Sequence, residues 1–210
     1  MKFNTLIIIL ISMNMTLFAQ TEDWIVKSLY DDQITVQYRF SEQVDEEGQP
    51  KMLIEDLTTT TVQADLESCI NLMKDVEQHK EFTGDKISKI VKSVSDHEWI
   101  VYYYSNNPWP IKDSDNVSRL TMATDTSMTT VTFTLTAVPD EYEDKGVNRM
   151  EFYQAVYTFK DLGNDQVSIV IAGRSIPPVN VPDWLVKSAF PGTPAKSVKK
   201  MVTLLKQSGI

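Results

Sequence analysis

Eight residues, Thr130 to Ala137, alternate without a break. Val131, Phe133, Leu135 and Ala137 fall on one side, and Thr130, Thr132, Thr134 and Thr136 on the other. A period of two belongs to a β-strand, because successive side chains leave a pleated backbone on opposite faces. One face is apolar enough to cover a core and the other polar enough to meet water. That pattern suits an antiparallel sheet solvated on one side. Runs of the same kind predict strands near 34–39, 52–57, 58–62, 87–94, 98–105, 116–123, 149–159 and 166–173.

Helical spacing is confined to a few places. Leu66, Cys69, Ile70, Met73 and Val76 predict one helix over 65–82, with Asp65 and Glu67 where the helix dipole favours negative charge. Residues 24–30 read as a short opening helix. At the C-terminus Pro182 suits a first helical turn, and Trp184, Leu185, Ala189 and Phe190 form a stripe. Pro191, Gly192 and Pro194 then break the helix, and Val198, Met201, Val202, Leu204 and Leu205 resume it. The expected class is α+β: a curved antiparallel β-sheet wrapped around a long C-terminal α-helix.

The first residues read differently. Lys2 precedes an apolar stretch over 6–17 that is interrupted by Ser12, Asn14 and Thr16, and Leu17-Phe18-Ala19 ends in a small residue. This is the pattern of an export signal cleaved near Ala19, too short to span a bilayer comfortably. The expectation is a periplasmic or secreted protein whose single domain covers residues 20–210. The formal net charge of −9 argues against nucleic acid and against docking on anionic membranes. Cys69 is the only cysteine, so no disulfide forms within the chain, and its helical position predicts a buried, inert thiol.

Familiar catalytic motifs are missing. His97-Glu98 does not continue into a His-Glu-x-x-His, and the only other histidine is His79, which leaves a metal site without its usual ligands. The seven glycines are scattered singly, so there is no phosphate loop, and no Gly-x-Ser-x-Gly elbow occurs. A Ser-His-Asp triad needs only to meet in space and stays open at this point. Both histidines lie beside charged residues and are expected at the surface. In place of such motifs the chain has aromatic surplus: Trp99, Tyr102, Tyr103, Tyr104 and Trp109, then Phe152, Tyr153, Tyr157 and Phe159. The stretch 149–159 carries apolar or aromatic residues at both parities, more than a one-sided sheet needs. It points to an internal cavity.

Four segments, in order along the chain, resemble those of the START (steroidogenic-acute-regulatory-related lipid transfer) family. They are Ile34-Thr35-Val36-Gln37-Tyr38-Arg39, Asn107-Pro108-Trp109-Pro110 through Val117, Lys145-Gly146-Val147-Asn148-Arg149, and Ile176-Pro177 through Val186. The resemblance implies a helix-grip fold, a member of the Bet v 1-like superfamily, with an internal cavity for one lipid or other hydrophobic small molecule. It also implies no catalytic activity, no cofactor and no metal. A monomer is implied too, with a lid at the final helix that touches membranes transiently. Where the family often carries a buried acid–arginine pair, this chain has Val101 and Leu120, and Arg119 would point outward. The matching places Val101, Tyr103, Leu120, Phe133 and Leu135 on the inward, ligand-binding face. Met150, Phe152 and Gln154 join them, with Gln154 as the polar member, and Trp184 and Leu185 close the cavity from the helix.

Two alternatives compete with a carrier. A polyketide cyclase-like enzyme on the same fold would need an inward acid or tyrosine pair, for which Glu151, Tyr153 and Gln154 are the visible candidates. An interaction module with a collapsed cavity would pack its aromatics solid.

Overall fold

The computed structural model describes residues 23–45, 47–107, 111–178 and 182–208. The expected export signal, the Pro108-Trp109-Pro110 stretch and residues 179–181 lie outside the described residues. Two edge hairpin strands, β1 (Ile25–Leu29) and β2 (Ile34–Val44), lead into β3 (Pro50–Gln63). Helix α1 (Leu66–Lys74), a 3-10 turn at Val76–Gln78 and α2 (His79–Thr83) follow. Then come β4 (Ile87–Ser95), β5 (Glu98–Ser105), β6 (Ser114–Thr124) and β7 (Thr130–Ala137). The two-residue β8 (Asn148–Arg149), β9 (Tyr153–Gly163) and β10 (Gln166–Ser175) precede α3 (Asp183–Ser188) and α4 (Gly192–Ser208).

The strands form one open sheet in the order β1-β2-β3-β10-β9-β7-β6-β5-β4, and β8 adds to β6 as a short parallel pair. Every other pairing is antiparallel. The sheet's inner face packs on α1 and α4, where Cys69, Leu72 and Met73 meet Met201 and Leu205 in the same core as Phe133, Phe159 and Ile169. Ala195 and Val198 of α4 extend that contact to Ile34, Val36 and Tyr38 of β2. Burial pushes the Cys69 thiol up to about 12, which keeps it protonated and inert.

Three expectations are corrected. Residues 24–30 contain β1, not a helix. Ile25 and Val26 are β-branched, and the left-handed turn Tyr30-Asp31-Asp32 (φ 55°, 55° and 62°) folds the segment back onto β2 in the register Ile25↔Tyr38 to Leu29↔Ile34. Residues 52–57 and 58–62 form one strand, β3. The helix expected over 65–82 is broken after Lys74. Asp65 caps α1 by accepting the Ser68 N–H at 2.6 Å, but the Asp75 backbone (ψ 74°) leaves the helical region. The second piece, α2, turns His79 and Phe82 inward before Gly84 stops it with φ 89°.

A second, smaller core lies on the outer face, where Ile100, Tyr102 and Val117 pack with Val138 and Tyr142. Arg149 holds it in place. Its Nε and Nη2 donate to Asp115 Oδ1 and Oδ2 at 3.0 and 2.7 Å, and its remaining N–H groups reach the carbonyls of Pro139, Tyr142 and Glu143 at 2.9, 2.8 and 2.9 Å. All five guanidinium donors are thereby used, and the Asp115 side chain is fully enclosed. Two motifs noticed separately in the sequence are thus the two halves of one ion pair. Breaking it strands a buried carboxylate, so Arg149→Ala should cost about 3–5 kcal/mol in urea unfolding. Arg149→Lys should recover only a minor part, because an ammonium cannot reproduce the fork. A loss below about 1 kcal/mol, the range of an exposed pair, would contradict this assignment.

Candidate ligand cavity

The inner face of the sheet is not filled by its own side chains. Between it, the α1–α2 segment and the start of α4 lies a partly enclosed cavity of about 380 Å³. Leu135, Ala155 and Ile171 floor it from the sheet, and Met73 borders it from α1. Phe190, Pro194 and Val198 roof it. A volume of this size holds about a dozen waters at ~30 Å³ each, and it falls at the lower end of the roughly 300–1,000 Å³ usual for small-molecule sites.

One end of the cavity is polar. Cross-strand pairing aligns Tyr38, Asp56, Gly173, Ala155 and Leu135 in a single row on the inner face. Glycine at 173 leaves the Asp56 carboxyl its place in that row: a Cβ there would come within 2.6 Å of Asp56 Oδ1 and push the carboxyl aside. Burial pushes the Asp56 carboxyl up to about 6, against a smaller downward pull from the Thr58 hydroxyl. Thr58 Oγ1 is itself enclosed, and no partner meets it at hydrogen-bonding distance and angle among the described residues.

A buried polar chain forms the adjoining wall. His79, expected at the surface, is 1% exposed. Its Nε2 lies 3.0 Å from the Met73 carbonyl, which can only accept, so the proton sits on Nε2 and Nδ1 accepts from the Tyr103 hydroxyl at 2.8 Å. Burial pushes the imidazole down to about 4, so it is neutral at physiological pH. Tyr103, Tyr153 and Tyr157 line the same space, and burial first, then neighbouring tyrosines and carboxylates, raises their phenols. Asp85 is a second carboxylate on the wall and accepts a hydrogen bond from Ser105.

The residues expected to line a ligand site divide into groups. Tyr103, Leu135 and Met150 border the cavity. Val101, Leu120 and Phe133 face inward but are sealed in the core beside it. The expectations for Phe152 and Gln154 are corrected. The chain leaves β6 after Arg149 and restarts as a strand only at Tyr153, so the parity counted from Met150 is not carried through. Tyr153, Ala155 and Tyr157 face the cavity instead. Gln154 lies at the opposite parity, and Phe152 packs its ring beneath the Arg174 guanidinium at 5.8 Å. Trp184 is also corrected: it is 70% exposed, and Leu185 does not reach the cavity wall either. The helical roof comes from 190–198, after the break between α3 and α4, and not from α3. Arg119 points outward to Glu98 and Glu141. Asp56 and Thr58 escaped notice in the sequence, although Ile54, Asp56, Thr58, Thr60 and Val62 share one parity of a single long strand.

The two perturbed groups act on stability with opposite signs. His79 takes its proton at about 4 when folded and near 6.5 when unfolded, so its contribution is lost as pH falls through that interval. Asp56 is protonated at about 6 when folded and near 3.8 when unfolded, so its penalty is full above 6 and relieved as pH falls. Asp56→Asn should therefore stabilise the protein above neutral pH by on the order of 1 kcal/mol. It should also make the acid-side loss between 6 and 4 steeper than in the wild type. Urea midpoints at stepped pH values check this. Parallel curves for the two proteins would contradict it.

No protein-family model matches the chain, and no curated protein matches it. Solved structures do. A STAR-related lipid transfer protein from Xanthomonas axonopodis aligns with a TM-score of 0.72 at 22% identity, over 87% of this chain and 98% of that one. Human StAR-related lipid transfer protein 5 aligns with a TM-score of 0.71 at 16% identity, over 88% of this chain and 86% of the other. A Streptomyces aromatase/cyclase is more distant, with a TM-score of 0.52 at 10% identity, over 81% and 94% of the two chains. At such identities the likeness is one of architecture: an open antiparallel sheet gripping a C-terminal helix. The chain has the helix-grip fold of the START domains.

Proposed function

We propose that this protein binds one small hydrophobic molecule in the cavity and carries it without chemical change, as an exported, monomeric carrier. The observation that supports this reading most is the space itself. About 380 Å³ remains between sheet and helix, walled largely by Leu135, Ala155, Ile171, Phe190 and Val198. It lies in a fold whose solved relatives include lipid transfer proteins. A volume of this size suits a single chain or a compact ring system. Each methylene moved from water into it contributes roughly 0.8 kcal/mol, so shape alone supplies useful affinity. The exposed Trp184 beside the roof is the natural point for brief contact with a membrane during loading.

A second reading rests on one specific observation. A cyclase-like enzyme needs an inward acid or tyrosine pair, and Asp56 faces the cavity with Tyr153 and Tyr157. Of the candidates seen in the sequence only Tyr153 is there; Glu151 is exposed and Gln154 faces away. The tightly filled interior of a collapsed module does not fit the cavity among the described residues.

Native mass spectrometry of the exported protein discriminates these readings. A carrier emerges with a co-purifying apolar mass that is unaltered after prolonged incubation. Ala155→Leu, which fills the floor, should abolish that mass and weaken Nile red binding by about tenfold or more, with an unchanged far-UV spectrum. Chemical conversion of the bound mass would support the enzyme. A wild-type protein that carries nothing and binds no Nile red would defeat both.

A further inference from the structure

Asp56 and Thr58 are polar groups that the fold leaves unspent. Glu55, the next residue on β3, shows how this protein treats an acid it means to neutralise. Its two carboxylate oxygens take Arg39 Nε at 2.6 Å and Arg174 Nε at 3.0 Å. Asp56 points the other way and has no ion pair among the described residues, although it borders the cavity. Arg174 borders the cavity as well but is already engaged by Glu55. His79 supplies no countercharge near neutral pH, because burial keeps its imidazole neutral while it bridges Tyr103 and the Met73 carbonyl. A second carboxylate, Asp85, adds to the negative potential of the same space. Gly173 leaves room for this placement, since a Cβ there would displace the Asp56 carboxyl. An independent observation points the same way. Thr58 Oγ1, on a residue 1% exposed and lining the cavity, meets no partner at hydrogen-bonding distance and angle among the described residues. Buried hydroxyls are normally satisfied, so an oxygen still able to accept, beside a carboxylate with no ion pair, suits a group with several N–H donors.

We propose that the Asp56–Thr58 end of the cavity recognises a cationic amine on an otherwise apolar ligand and discriminates against the corresponding carboxylate. This rests on the cavity being a binding site, as proposed above. An ammonium carries three donors, enough for the Asp56 oxygens and Thr58 Oγ1 together, and charge-assisted hydrogen bonds are the strong kind. The tyrosines that share this wall add rings that favour a cation. An alcohol of the same chain length makes one such bond. A carboxylate can accept from the hydroxyls but gains nothing from Asp56, and it meets two like charges.

Displacement of Nile red by dodecylamine, dodecanol and dodecanoate near neutral pH, below their aggregation limits, tests the inference. Dodecylamine should displace the dye at about tenfold lower concentration than dodecanoate, with dodecanol between. Asp56→Asn should keep the dye bound and reduce that preference to within about threefold, and Thr58→Val should weaken the amine alone by about threefold. Gly173→Ala keeps the charge but crowds the carboxyl, and should also blunt the preference. An equal preference in wild type and Asp56→Asn, or a preference for dodecanoate, overturns the inference while leaving apolar binding intact. Failure of the wild type to bind Nile red at all removes the binding reading, and this inference with it.

Discussion

A mismatch of dimensions governs this molecule. Nine strands follow one another in the hydrogen-bonded path, and at ~4.8 Å between neighbours such a sheet is roughly 40 Å wide. One helix is about 10 Å across, so α4 alone cannot cover the inner face. The 17 residues of α4 are also only about 25 Å long at 1.5 Å per residue. The sheet must curl toward the helix, and α1 and α2 must close part of what is left. The remainder is the cavity. Strand count and helix length set how much space there is to fill, and small residues such as Ala155 and Gly173 leave it open.

Side chains then decide what kind of cavity it is. Elsewhere the protein satisfies its charges thoroughly. Arg149 uses every donor it has, Glu55 takes two arginines, and Arg119 meets Glu98 and Glu141. Against that practice, among the described residues, the Asp56 carboxyl with no ion pair and the Thr58 hydroxyl with no well-placed partner stand out. Both weaken the fold, since desolvated polar groups without partners cost free energy. Choices that are locally unfavourable and structurally accommodated, here by Gly173, are characteristic of functional positions. Val101 and Leu120 are sealed in the core, and the polar end of the cavity lies on β3, at Asp56 and Thr58.

Much of the architecture was legible because it rests on periodicity. The alternation from Thr130 to Ala137 reports its strand directly, and burial of Val131, Phe133 and Leu135 follows it. The break at Pro191 and Gly192 announces the two-piece terminal helix. What failed was parity and context. A helical reading of 24–30 ignored the partner strand that captures Ile25 and Val26. The family matching puts Met150, Phe152 and Gln154 on one face, but the strand is interrupted at 150–152. The cleaner alternation of Tyr153, Ala155, Tyr157 and Phe159 against Gln154, Val156, Thr158 and Lys160 was available and marks the true inner face. His79 looked exposed because its sequence neighbours are charged, but α2 is a single turn that aims it inward. Asp56 was hidden by splitting β3 in two, which lost the inward parity running to Val62.

The central claim is that the space between sheet and helix exists to hold a greasy molecule by its polar end. A high-resolution crystal structure of the exported protein, with whatever it carries, is the most direct measurement. The account predicts continuous density along Leu135, Ala155 and Ile171 that ends in a polar atom within hydrogen-bonding distance of Asp56 and Thr58 Oγ1. A cavity closed by inward movement of α4, or one holding only ordered water on those two groups, would contradict it.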